Sequence, residues 1–371
     1  MKIGIDARLY GTKHGGLGRY SENLIKQLEK IDYNNQYFIF LQKSNFDYYQ
    51  PQNKNFKKVL ADFSVYSFKE QLLFPFLLKK YKLDLVHFAH FNAPIFYAGK
   101  FIVTIHDLII SHYADSRATT LNPIIYKIKV WFYRLVIKIV TKKSAKIITV
   151  SEYTKKDIIK LLNINDSKIF VTYEGVDLPK ESNIDCAKLK NDLMITKDFL
   201  LYVGSAYPHK NLEKLILAFE DVIVQKKNLQ LVLVGKKNYF YNRLEKIIKD
   251  KKLSNDILLT DYLSDDELSC LYKTAKLYIL PSLIEGFGLP PLEAQSYGLP
   301  VLSSSATCLP EILGDSALYF DPNNTTELTK LIINTINNQN IIADLKIKGF
   351  DNLGRYSWSK CALETIKQYQ S

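Results

Sequence analysis

Short apolar runs alternate with longer amphipathic stretches along this chain, and the alternation starts twice. In the first half, "KIGID" (2–6), "YFIFL" (37–41), "FKKVLAD" (56–62), "DLVHFAH" (84–90), "FIVTIHD" (101–107) and "AKIITVS" (145–151) have the length and composition of strands. Helical periods fill 19–31, 68–81, 122–143 and 152–162. A polar segment over 172–198, with Gly175 and Pro179, then interrupts the rhythm. It resumes with strands at 199–204, 229–235, 256–260, 277–282, 299–304 and 317–322, and with helices at 211–226, 239–252, 265–275, 290–298 and 325–349. Apolar strands alternating with helices predict parallel sheets covered on both faces. The predicted fold class is α/β, with two doubly wound, Rossmann-like domains in tandem: an N-terminal domain over 1–177, a linker over 178–198 and a C-terminal domain over 199–350. Ligands of such domains sit beyond the carboxyl ends of the strands, where the strand order switches. Two such faces opposed across the linker would make one deep cleft.

The 371 residues, 47% hydrophobic, suffice for two ordinary domains. No run approaches the roughly 20 apolar residues of a membrane span, and "MKIGIDARLY" reads as a strand rather than a signal peptide. A cytoplasmic protein is expected. Cys186, Cys270, Cys308 and Cys361 lie far apart without metal-ligand spacing, so free, mostly buried thiols are expected and no metal site. Residues 1–180 hold 28 lysines and arginines against 15 aspartates and glutamates, which accounts for all of the +12 net charge. That asymmetry points to an anionic partner for the first half, or to a solvated lysine surface. The stretch 121–143, with Lys127, Arg134, Lys138 and Lys142 near one helix face, suits a core helix with a basic edge or one lying on an anionic membrane.

Several loops carry candidate chemistry. "GTKHGGLGRYSENL" (11–24) follows a strand and opens a helix, as a phosphate-binding turn does. It fails as a dinucleotide fingerprint, because the third glycine is absent and no acid ends the second strand. An anion contact near Gly16 survives that test, as does a plain turn. His106 and Asp107 end an apolar strand, and His90 and Asn92 fall on the same expected edge, whereas His87 inside its strand reads as structural. Lys210, beside His209, falls where a helix should begin. The helix dipole disfavours a cation there, so either a bound anion accounts for it or it is a solvated surface lysine. In "PSLIEGFGLPPLEAQSYGLPVL" (281–302), Gly286 and Gly288 break any helix and Pro290 and Pro291 suit a first helical turn. Glu285 therefore reads as a loop acid. Glu293 reads as a first-turn helix acid, placed either for a ligand or for the dipole.

The Glu285-x7-Glu293 spacing within "EGFGLPPLEA" resembles the motif of retaining GT-B glycosyltransferases, specifically glycosyltransferase family 4. "IGIDARLYGTKHGGLGRY", "HDL", "VSEYTKKDI", "EGVD" and "GSAYPHKN" extend the resemblance over nearly the whole chain. "YSWSKCALETIKQY" resembles the family's C-terminal helix, here within 351–371, that crosses back to the first domain. The resemblance implies the GT-B fold and transfer of a sugar from a nucleoside diphosphate to a saccharide or lipid-linked hydroxyl in bacterial surface polysaccharide or lipopolysaccharide synthesis. Mannosyltransferase-type members are the most similar in pattern.

By the same resemblance, Glu285 contacts the donor sugar, with His106 near it on the acceptor side. Glu293 holds the ribose, and Lys210 neutralises the diphosphate with the Gly16 loop approaching it. Phe287, Gly288 and Leu289 offer backbone N–H groups, and Tyr262 sits by the base. Many relatives carry an arginine where this chain has Ser205, so His209 or another cation would have to compensate. No metal or other cofactor is expected beyond the nucleotide sugar, and the enzyme would be peripheral at the inner face of the cytoplasmic membrane. An epimerase or phosphorylase of GT-B shape is the alternative enzyme. A basic nucleic-acid-binding protein would leave the acids of the second half without a role, so no nucleic-acid partner is expected.

Overall fold

The computed structural model describes residues 1–12, 15–113, 119–179 and 184–370. The chain divides into two compact units. One holds Met1–Ala114, Leu121–Gly175 and, at the end of the chain, Tyr356–Ser371; the other is built on Val176–Arg355.

The first unit runs β1 (Lys2–Asp6), α1 (Gly15–Ile31), β2 (Gln36–Leu41), β3 (Phe56–Leu60), α2 (Phe68–Lys80), β4 (Leu85–Phe88), β5 (Phe101–Ile105), α3 (Ile109–His112), α4 (Pro123–Lys143), β6 (Lys146–Thr149), α5 (Glu152–Leu162) and β7 (Ile169–Val171). The second runs α6 (Cys186–Asp192), β8 (Asp198–Val203), α7 (Leu212–Gln225), β9 (Leu229–Val234), α8 (Tyr239–Asp250), β10 (Ile257–Leu259), α9 (Asp265–Thr274), β11 (Leu277–Leu280), α10 (Leu289–Ser296), β12 (Val301–Ser304), α11 (Leu309–Leu313), β13 (Ala317–Phe320), α12 (Thr325–Asn337) and α13 (Gln339–Leu353). The closing α14 (Trp358–Gln370) belongs to the first unit.

The sheet of the first unit has seven strands in the order β3-β2-β1-β4-β5-β6-β7, and that of the second has six in the order β10-β9-β8-β11-β12-β13. Every pair is parallel. Strands such as β5 (FIVTI) and β9 (LQLVLV) are buried at every position, as expected of strands with helices on both faces. The order reverses between β1 and β4 in one sheet and between β8 and β11 in the other. These are the two switch points where a ligand crevice forms.

The amphipathic α1 turns Tyr20, Leu24, Ile25 and Leu28 inward, and α14 packs on it with Trp358, Cys361, Ala362, Thr365 and Tyr369 on one face. The Tyr369 hydroxyl lies 2.8 Å from His87 Nδ1, and His87 Nε2 lies 2.8 Å from Thr104 Oγ1. His87 is therefore a structural histidine, and burial pushes its pKa down to about 3. Gly175 lies so close to the start of α14 that a Cβ there would stand 2.1 Å from the Trp358 nitrogen.

Besides the short α3, β7 and α11, which the sequence reading lacks, three features depart from it. The helix expected over 325–349 is two helices, because the Asn338 side chain accepts hydrogen bonds from the Asn340 and Ile341 N–H groups and starts a new one. The expected linker holds α6, whose first turn is capped by Asp185; its residues 180–183 lie outside the described ones. Finally, α6 packs on α9 and brings the Cα atoms of Cys186 and Cys270 to 5.6 Å, where the two are joined as a disulfide. Free thiols were expected at both. Cys308 and Cys361 are free and buried.

Candidate active site

In the second unit, the loops after the adjacent strands β8 and β11 are tied together at the switch point. The Leu283 N–H donates to the His209 carbonyl at 2.8 Å. Asn211, in the left-handed conformation with φ 60°, caps α7 and donates its side-chain amide to the carbonyls of Pro281 (3.0 Å) and Pro322 (2.7 Å). These bonds bring together Lys210 and Glu285, 75 residues apart: Lys210 Nζ stands 2.7 and 2.9 Å from the two carboxylate oxygens. Ser282 Oγ donates to Oε1 at 2.6 Å.

Burial works against the Glu285 charge. The Lys210 ammonium, the Ser282 hydroxyl and His209 outweigh it and hold the carboxyl below its ordinary range. Lys210 lies in a single 3-10 turn, Pro208–Lys210, ahead of α7. Its charge is matched by Glu285, so the dipole argument for a bound anion, drawn from the sequence, does not hold. His209 is no second cation: burial and the Lys210 charge push its pKa down to about 4. Ser205 is half-buried, and its carbonyl accepts from the Tyr202 hydroxyl at 2.7 Å.

The loop from Glu285 to Gly288 is braced from the other side by Thr307 and Cys308. The Glu285 N–H donates to Thr307 Oγ1 at 3.1 Å, and Cys308 Sγ lies 3.2 Å from the Glu285 carbonyl and 3.5 Å from that of Phe287. Gly288 has φ 98°, which only glycine adopts without strain, and it starts α10 at Leu289. Phe287 and Leu289 have buried side chains. Glu293 therefore falls in the second turn of α10, not the first as expected, and Tyr272 donates to its Oε2 at 3.2 Å. Tyr262 is exposed on the loop between β10 and α9. Sequence reasoning missed Ser282, Asn211, Thr307 and Cys308. The polar spacing "PSLIE" and the "HKN" tripeptide were the available signals.

In the first unit, His106 follows β5 and is buried. Its Nδ1 lies 3.1 Å from Glu174 Oε1 and its Nε2 lies 3.0 Å from the Ala89 carbonyl. A carbonyl and a carboxylate both accept, so both ring nitrogens carry protons. Burial opposes that charge, but the bond to Glu174, the Glu174 charge and the Ala89 carbonyl raise the histidine above its ordinary value. The surroundings of His106 thus favour its protonated form. Glu174, the acid of "EGVD", is the residue that the sequence reading did not assign.

Replacing it by glutamine keeps the shape and removes the charge. The His106 titration, followed by NMR of its ring protons, is expected to move to lower pH. The His106 charge stabilises the fold below its unfolded pKa, about 6.5, and this contribution is lost as pH rises through the raised folded value. Glu174→Gln is expected to flatten that part of the stability–pH curve. An unmoved titration refutes the pairing.

His90 and Asn92 follow β4. Asn92 donates to both oxygens of the buried Glu70, at 2.8 and 2.7 Å, and Glu70 also receives Arg8, itself held by Asp6. His90 is kept neutral, with its pKa pushed down to about 3 by burial and by the charges of His106 and Arg8. Gly16 is exposed in the first turn of α1, with open space around it; residues 13 and 14 of its loop lie outside the described ones.

Residues 14–180 match the family described as "Glycosyltransferase Family 4", and residues 187–350 match "Glycosyl transferases group 1". The chain belongs to the family 4 glycosyltransferases. It is 26% identical to an "O-antigen chain mannosyltransferase B" from Escherichia coli, over 96% of each chain. It is 29% identical to the "O-antigen chain mannosyltransferase RfbU" from Salmonella typhimurium, over 59% of this chain and 56% of that one. Among solved structures, Anabaena HepE in complex with UDP-glucose superposes with a TM-score of 0.79 at 17% identity, covering 100% of this chain and 99% of that one. That likeness shows the GT-B fold. This glycosyltransferase thus carries its Glu285-x7-Glu293 motif on the loop and helix that follow β11, at the switch point of its second sheet.

Proposed function

We propose that this glycosyltransferase moves a hexose, with mannose the leading candidate, from a nucleoside diphosphate to a hydroxyl of a saccharide or lipid-linked acceptor in surface polysaccharide assembly. Anomeric configuration is retained and no metal takes part. The observation that carries the reading is the Lys210–Glu285 pair at the β8/β11 switch point. In the pair, the cation needed by a leaving diphosphate and the carboxylate needed by sugar hydroxyls neutralise each other. A nucleotide sugar supplies both replacements at once: phosphate oxygens for Lys210 and hydroxyl donors for Glu285. The curated mannosyltransferase relatives support the choice of sugar.

As the bond from the anomeric carbon to phosphate breaks, negative charge grows on the diphosphate, and Lys210 is placed to stabilise it. The acceptor oxygen forms its bond on the same face, and its proton passes to the departing phosphate oxygen. Glu293 would hold the ribose and Tyr262 the base. Gly16 and the N–H groups of Phe287, Gly288 and Leu289 would meet phosphate or sugar oxygens, and Ser205 and His209 would line the phosphate region as neutral groups. His106 would present its charge to the donor sugar.

The test is thermal unfolding with GDP, UDP, dTDP and their sugars. A ligand at 100 times its Kd is expected to stabilise the fold by about 2.7 kcal/mol. If none of these ligands raises the melting temperature, the donor class is wrong. Consumption of the stabilising nucleotide sugar without any acceptor would favour an epimerase.

A further inference from the structure

Two helices of the first unit turn large apolar side chains away from the core. On α2 the inward residues are Glu70, Phe74 and Leu78, while Phe68 is 77% and Phe76 68% exposed, with Leu72 and Leu73 exposed between them. On α4 the buried residues begin only at Val130, and Ile124, Ile125, Ile128, Trp131 and Phe132 are exposed. The Phe68 and Phe132 rings meet edge to face at 6.2 Å, so the two exposed rows form one continuous surface. Contiguous apolar surface of this kind marks an interaction site.

The exposed charges of the two helices have one sign. Lys69, Lys79 and Lys80 on α2, and Lys127, Lys129 and Arg134 on α4, are exposed. α4 contains no acid, and the single acid of α2, Glu70, is buried against Arg8. Trp131 lies within the basic stripe, one turn from Lys127 and from Arg134. A nucleic acid would satisfy the cations but leave the aliphatic rows in water. A layer of anionic lipid satisfies both, with the apolar side chains entering the acyl boundary and the lysines reaching the headgroups. No helix among the described residues is long and apolar enough to cross a membrane, so the contact is one of lying on it.

We infer that the joined faces of α2 and α4 are a docking surface for an anionic lipid bilayer. The inference deepens the proposed function, since it sets the first unit on the surface where a lipid-linked acceptor resides. Its test does not depend on sugar transfer.

The experiment uses the full chain and vesicles of phosphatidylcholine with or without about a third phosphatidylglycerol. Trp131 is 60% exposed, and the only other tryptophan, Trp358, is 5% exposed, so Trp131 is a built-in reporter. The expected result is sedimentation with anionic vesicles, a blue shift of tryptophan emission and quenching by brominated lipid. The Trp131→Phe variant should lose the quenching. Binding should fall at least about tenfold with neutral vesicles or high salt. The Phe76→Ser/Ile128→Ser double variant should lose binding to the same degree with an unchanged melting temperature, because both residues are already in solvent. Equal binding to neutral vesicles overturns the inference, as does unshifted emission in the presence of anionic vesicles. So does a wild-type dimer that this double variant abolishes, since a second copy would then be the occupant.

Discussion

Glu285→Gln is expected to lower sugar transfer about 10^3-fold while leaving donor binding within a few-fold of wild type. The amide keeps the size of the carboxylate and can still accept from Ser282, 2.6 Å away in the native loop. It cannot oppose positive charge developing on a sugar, and electrostatic groups lost from a dry site commonly cost two to three orders of magnitude. The variant also leaves Lys210 without its counter-charge. Breaking a buried pair costs about 3–5 kcal/mol. Here the side chains are 19% and 11% exposed, so water can partly re-solvate Lys210 and the lower end of that range is expected. Steady-state rates, donor titration and denaturant unfolding separate the three effects. Activity near wild type would remove Glu285 from the chemistry. A covalent glycosyl adduct on Glu285, found by mass spectrometry of the quenched wild-type enzyme, would replace same-face transfer with double displacement.

Lys210→Ala should act on binding instead. Loss of a charged donor to a diphosphate is expected to cost about 2–3 kcal/mol, or roughly 10^2-fold in Kd for a nucleoside diphosphate by calorimetry. Unchanged affinity would take Lys210 out of the phosphate site. The same variant should alter the acid limb of stability. In the native protein the Glu285 pKa is depressed, so its ionised form stabilises the fold above the unfolded value near 4.3, and that contribution fades as pH falls through the folded value. Without Lys210, burial dominates and Glu285 takes up its proton at a higher pH. The variant should therefore begin to lose stability at a higher pH than wild type. In a double-mutant cycle, removing both partners should cost less than the two single losses added together, because no orphaned charge remains.

Much of the architecture was legible because a parallel sheet writes itself in continuous apolar strands, and both sheets follow from that rhythm; the strand orders, and so the places of the switch points, do not. The three-residue β7 and the break at Asn338 were not legible either. One is too short to show a period, and the other depends on which local hydrogen bond the Asn side chain takes. Among the candidate residues, the sequence singled out Glu285, Lys210 and His106 but did not show what surrounds each of them. Lys210 looked like a cation in want of an anion, since Glu285 is 75 positions away and nothing in linear order shows that the Asn211 amide ties their loops together. His209 looked like a spare cation, yet burial and its neighbour's charge push its pKa down to about 4. Glu174 was read only as part of a motif. The Cys186–Cys270 pair, 84 residues apart, depended likewise on α6 packing against α9.

The return of α14 to the first unit sets an order of completion during synthesis. The bulk of the second unit is the stretch from Val176 to Arg355, which can close as soon as it leaves the ribosome. The first unit, although begun earlier, still lacks its Trp358–Gln370 helix at that moment. The hydroxyl that meets His87 and the aromatic and aliphatic side chains that cover α1 are all still to come. The later-made unit is therefore complete first, and a nascent chain stalled before residue 356 carries a finished second unit and an open, apolar first one that chaperones can bind.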